Sequence, residues 1–163
     1  MPQFESFQKD GFAGFVRISE LKDNLHLIPN EPGVYIVLRS SNNQPQFKEV
    51  STGGWFKGKN PTVDKSELEY NWIRNQQLLN IGKAGGPGGS ATLRSRLKQY
   101  LNFGYGRPVG HWGGRLIWQL EDSYDLLIAW KTTPGLVPEE VEKNMLFAFE
   151  SEYGRLPFAN LRH

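Results

Sequence analysis

Three short runs rich in β-branched and aromatic residues, each cut off by glycine, proline or charge, limit what this chain can become. They are Gly33-Val-Tyr-Ile-Val-Leu-Arg39, Leu78-Leu-Asn-Ile-Gly82 and Tyr124-Asp-Leu-Leu-Ile-Ala-Trp-Lys131. Such side chains pack well on a pleated surface, so each run predicts a strand. Helical signals fill the intervals. Ser19 predicts the capped start of a short helix, and Ser90, ending a glycine-rich turn, caps a helix over 91–103. The run RLIWQL predicts another helix. Pro138, followed by Glu139, Glu140 and Glu142, suits the positive end of a last helix. Val141, Met145, Ala148 and Phe149 share one face of it, and Gly154 and Pro157 end it. The order predicts an α+β domain with a small central three-stranded, mostly antiparallel sheet flanked by helices, and not a dinucleotide-binding βαβ series.

At 163 residues the chain suits a single domain. Residues 1–31 read as an N-terminal extension, and about 40–65, rich in Gly, Pro, Ser and Asn, as a long loop. With 38% hydrophobic and 22% charged residues, neither a disordered nor a membrane-spanning class fits. No apolar run approaches the roughly 20 residues that a spanning helix needs. The opening MPQFESFQKDGFAGF lacks the basic-then-apolar order of a secretory signal. Cysteine is absent, which removes disulfides, thiolate zinc sites and cysteine nucleophiles and leads us to expect a cytoplasmic protein with no membrane partner.

The net charge of +2 says little, but its distribution says more. Between Asn71 and Leu120 there is no Asp or Glu, while Arg74, Lys83, Arg94, Arg96, Lys98, Arg107 and Arg115 all fall there. Aromatics interleave with them. An acid-free basic middle suits an anionic ligand such as nucleic acid, although a plain solvated face would look the same.

Two familiar chemistries are absent. The glycine-rich KAGGPGGS fails the phosphate-loop pattern, because Ala84 follows Lys83 where Ser or Thr must hold Mg²⁺. His26, His111 and His163 lie far apart, which disfavours a histidine zinc site, and His111 receives no role.

Four elements do converge in order: Gly33-Val34-Tyr35, Asn80-Ile81-Gly82-Lys83-Ala84, Leu93-Arg-Ser-Arg96-Leu97-Lys98-Gln-Tyr100, and Glu142-Lys-Asn-Met-Leu146, with Pro157-Phe-Ala-Asn160 near the end. This order resembles the GIY-YIG nuclease family, and within it the GIY-YIG module of bacterial excision-repair incision nucleases. The resemblance runs from residue 32 to about 160. It implies a metal-dependent endonuclease hydrolysing a phosphodiester bond, with DNA as the partner. Tyr35 would direct its phenol at the scissile phosphate and act as base if nearby cations lower its pKa. Arg96 would neutralise the pentacoordinate phosphorus, since a guanidinium pairs with phosphate oxygens and keeps its proton. Glu142 would hold one Mg²⁺ or Mn²⁺ ion. Lys83 would join the catalytic set. Asn80, Gly82, Tyr100, Arg94 and Lys98 would contact substrate.

Asn80 stands where the family carries its second signature tyrosine, and an amide cannot usefully accept a proton. Three outcomes follow: Tyr35 takes over as base, Asn80 positions a water, or the domain is slow and has become a nucleic-acid-binding module. Glu139, Glu140 and Glu150 compete with Glu142 for the metal.

Overall fold

Strand β2, Gly33–Leu38, is buried at every position. An all-apolar strand needs cover on both sides and both edges, and the chain supplies it. The computed structural model describes residues 2–161. They form a four-stranded antiparallel sheet in the order β1-β4-β2-β3, where β1 is Ala13–Arg17, β3 Leu78–Ala84 and β4 Leu127–Thr132. Five helices accompany it among the described residues: α1 Pro2–Lys9, α2 Ile18–Leu21, α3 Lys65–Asn71, α4 Leu93–Gly104 and α5 Pro138–Tyr153. Three 3-10 segments, Leu25–Leu27, Trp112–Gln119 and Ser123–Asp125, complete the described elements.

Alternation along β2 splits the core in two. Tyr35 and Val37 belong to one face, under Leu93, Leu97 and Tyr100 of α4 and Trp118 of the long 3-10 segment. Val34, Ile36 and Leu38 belong to the other, under Leu146 and Phe149 of α5 with Phe4 and Phe7 of α1 alongside. The α+β class is as expected, but the sheet has four strands and not three.

The additional strand lies in the supposed extension. β1 pairs with β4, so Ala13–Arg17 of this stretch belongs to the sheet. Its sequence, AGFVR, is short, and the register breaks between Gly14 and Val16, where Gly14 and Phe15 take positive φ. A bulge of this kind erases the period-two signal.

Other boundaries move for local reasons. α2 starts at Ile18 after an extended Arg17 with no side-chain cap, so Ser19 sits inside the helix. α4 is capped by Thr92 and not Ser90: Thr92 Oγ1 accepts from the Ser95 amide at 3.1 Å and Ser95 Oγ from the Thr92 amide at 2.8 Å. This capping box satisfies two otherwise orphaned donors. RLIWQL lies in the 3-10 segment kinked at Gly114, not in an α-helix. The third run becomes a strand only from Leu127, because Ser123–Asp125 forms a turn. In α5 the buried positions are Pro138, Leu146 and Phe149, Val141 and Met145 are half-buried, and Ala148 is exposed. The helix ends at Gly154 in the left-handed conformation, φ 75°.

Gly33 marks a close approach between layers. A Cβ there would stand 2.3 Å from the Lys131 carbonyl oxygen and 2.8 Å from Leu93 Cδ1. Gly33→Ala is expected to cost about 1–3 kcal/mol, as overpacking does. A urea midpoint equal to that of the parent protein would refute this close approach.

Candidate active site

An open cleft of about 1080 Å³ wraps around the β3 side of the sheet. Both faces contribute to its walls. From one face come Tyr35 of β2, Arg96 of α4 and His111; from the other come Lys83 of β3 and Glu142 of α5. Residues separated by more than a hundred positions thus share one cavity. Asn80 and Gly82 line it as well.

Gly82 explains how the faces meet. It pairs with Tyr35 across the β2–β3 ladder, and a Cβ at Gly82 would fall 2.1 Å from Tyr35 Cζ and 2.3 Å from its hydroxyl. The missing side chain lets the phenol lie across β3 and reach the cleft. There the hydroxyl is 2.9 Å from His111 Nε2, and the ring packs edge-on against Tyr100. Burial raises the phenol's pKa, a tendency that the neighbouring Arg96 opposes and Glu142 reinforces. The expectation of a phenol acidified by nearby cations is therefore corrected: Arg96 acts in that direction, but desolvation wins.

Arg96 is half-exposed and bonds the carbonyl of Gly110 at 3.1 Å and Gln99 Oε1 at 3.1 Å. It thereby anchors the loop that carries His111. Its orientation follows from α4, where Leu93 and Leu97 are fully buried and turn Arg96 toward the cleft. Asn80 is buried and donates to the Tyr100 hydroxyl at 2.9 Å. Tyr100 itself is fully buried behind the cleft and supports the wall instead of facing a ligand. Arg94 and Lys98 lie outside the cleft. The Arg94 guanidinium bonds the Ile28 carbonyl at 2.9 Å, which ties α4 to the preceding loop, and Lys98 is exposed.

Glu142 is half-buried on the first turns of α5, and burial raises its pKa while Lys83 lowers it. Among the described residues its carboxylate has no ion-pair partner. Glu139 also lines the cleft and pushes the same pKa up, so two acids crowd this corner. Among the described residues no cluster of three or more His, Cys, Asp or Glu could hold a metal. The donor set suits a hard divalent ion that rests on one carboxylate and keeps most of its waters.

Three lining residues were named in the sequence without a role at the site. His111 had no motif around it; only its burial and its bond to Tyr35 reveal it. Arg115, stacked on Trp112 at 4.9 Å, was visible only as part of the basic stretch. Asn160 bonds both the amide and the carbonyl of Ile81, at 2.8 and 2.9 Å, and so closes the outer edge of β3 at the cleft's rim. No family model, curated protein or solved structure matches the chain. Among the described residues no helix is long and apolar enough to cross a membrane.

Burial, followed by Arg96, lowers the His111 pKa from 6.5 to about 3. The unfolded chain therefore binds a proton at His111 that the folded one refuses. Stability contributed by the neutral ring is complete above pH 6.5 and is lost as pH falls toward about 3. Within that window the slope from this group approaches about 1.4 kcal/mol per pH unit. Glu142, with its raised pKa, works in the opposite direction over the carboxylate range. Urea unfolding of His111→Gln across this window should show a flatter pH dependence than the parent. An unchanged slope would refute the buried neutral histidine.

Proposed function

We propose that the protein is a metal-dependent endonuclease of the GIY-YIG kind, hydrolysing a phosphodiester bond in DNA. The observation that carries this reading is the meeting of a phenol, a guanidinium, an ammonium and an uncommitted carboxylate in one open cleft. Arg96 and Lys83 would pair with the non-bridging oxygens of the phosphate and offset charge as the phosphorus becomes pentacoordinate. Tyr35 would sit against the attacking water. Glu142 would hold a single Mg²⁺ or Mn²⁺, which when bound supplies charge neutralisation at the leaving oxygen. The shape supports a polymer more than a small molecule, because the cleft is open and wraps a sheet edge instead of enclosing its ligand.

A binding-only module is the second reading. It is favoured by one fact: Asn80 is engaged with Tyr100 and offers no base in place of the family's second tyrosine.

Plasmid nicking with Mn²⁺ separates the two. Glu142→Gln should reduce nicking about 10²–10³-fold while DNA binding persists, in keeping with the loss of one electrostatic catalytic group. Chelation of the metal should abolish nicking. Arg96→Lys is a better probe than Arg96→Ala, because truncation would also free the Gly110 loop. Cleavage that survives both Glu142→Gln and Arg96→Lys would reject the site, and binding without any cleavage would favour the module. Affinity should fall steeply with salt if the ligand is a phosphate backbone.

Restoring a phenol at position 80 should not help. The Asn80 amide is already 3.3 Å from where a Gly114 Cβ would be built, and it is bonded to Tyr100. Asn80→Tyr is expected to lower both thermal stability and nicking. Enhanced nicking would show that the site lacks only a second base.

A further inference from the structure

We infer that His111 is the positioning residue behind Tyr35, accepting the phenol's proton at Nε2 while Tyr35 takes one from the attacking water. The inference rests on the endonuclease reading and supplies the base that Asn80 cannot.

The Tyr35 hydroxyl and His111 Nε2 are 2.9 Å apart, and the Arg96 guanidinium beside the phenol oxygen favours that oxygen as an acceptor. The relay uses the arrangement in which the phenol donates to Nε2 and Nδ1 carries the imidazole's proton. It also leaves the phenol's lone pairs directed at the cleft.

The surroundings hold the dyad rigid. His111 is buried and its ring lies 4.2 Å from that of Tyr100, which in turn is held by the Asn80 amide. Asn80 is thus one hydrogen bond and one ring contact removed from the dyad and steadies it through Tyr100. Arg96 pins Gly110, the residue before His111. The titratable and charged groups facing the imidazole are Tyr35 from β2 and Arg96 and Tyr100 from α4.

The step balances. Water gives a proton to the Tyr35 oxygen as that oxygen's own proton passes to Nε2. The new hydroxide forms the P–O bond, and the opposite P–O ester bond breaks with its electron pair. The departing alkoxide takes a proton from a second water, and the hydroxide so formed neutralises the imidazolium. Burial, followed by the Arg96 field, keeps the imidazole neutral; a phosphodiester anion beside Arg96 would offset the second of these and make His111 a better acceptor.

The test is steady-state cleavage of a DNA oligonucleotide with Mn²⁺ by parent, His111→Gln, Tyr35→Phe and the double variant. His111→Gln should lower kcat about 10²–10³-fold with KM changed less than about threefold, the size expected of a lost proton-transfer group. The double variant should be no slower than the worse single one, as for residues acting as a unit. A His111→Gln kcat within about threefold of the parent, or losses that multiply in the double variant, would overturn the inference while leaving the nuclease reading intact. A parent protein with no cleavage would overturn both. Should His111→Gln fail to fold, ¹⁵N imidazole NMR of the parent decides: an unprotonated Nε2 at neutral pH is expected, and a protonated Nε2 would overturn the relay.

Discussion

The pairing of Tyr35 with Gly82 across β2 and β3 is the constraint on which the site depends. A strand normally keeps its side chains on their own faces, and any residue but glycine at position 82 would confine the phenol to the core beneath α4. With glycine there, an interior tyrosine crosses the neighbouring strand and joins groups that α5 presents from the opposite face. The closeness is extreme: a Cβ would lie inside the phenol ring's van der Waals envelope. One absent methyl group therefore lets a side chain from one half of the core reach a cleft that the other half also lines.

Burial then sets the charge state of the cleft. Desolvation raises the pKa of Tyr35, Tyr100 and Glu142 and lowers that of His111, so each group is driven toward its neutral form. Arg96 is the cation whose field reaches all of them. Such a wall, its buried groups neutral beside the cations Arg96, Lys83 and Arg115, is electrostatically hospitable to an anion. Of these, Arg96 tethers the His111 loop through Gly110, so charge and architecture meet in one side chain.

Much of this was legible in the sequence. β2 and β3 stood out because they are short, apolar and ended by breakers, and α5 because Pro138 and Gly154 mark its ends. Tyr35, Lys83, Arg96 and Glu142 were named from motif order, and they do line one cleft. Three things were hidden for physical reasons. β1 carries a bulge that interrupts alternation. α3 emerges from polar sequence, with Leu68 its one buried residue, so it has no apolar stripe to read. His111 lies in a run of glycines with no periodicity, and its meaning arises only when the fold brings it to Tyr35, 76 residues away. Arg94 and Lys98 misled because proximity to Arg96 along a helix does not mean the same direction in space.

The Asn160 amide has a consequence for assembly. By meeting both main-chain groups of Ile81, it occupies the ladder positions that an incoming strand would need, and Ala159 takes the Leu79 carbonyl beside it. β3 is thus sealed against edge-to-edge recruitment, the usual hazard of an outermost strand. Any lengthening of the sheet by another polypeptide is directed to β1, on the far border, where it would leave the mouth of the cleft clear.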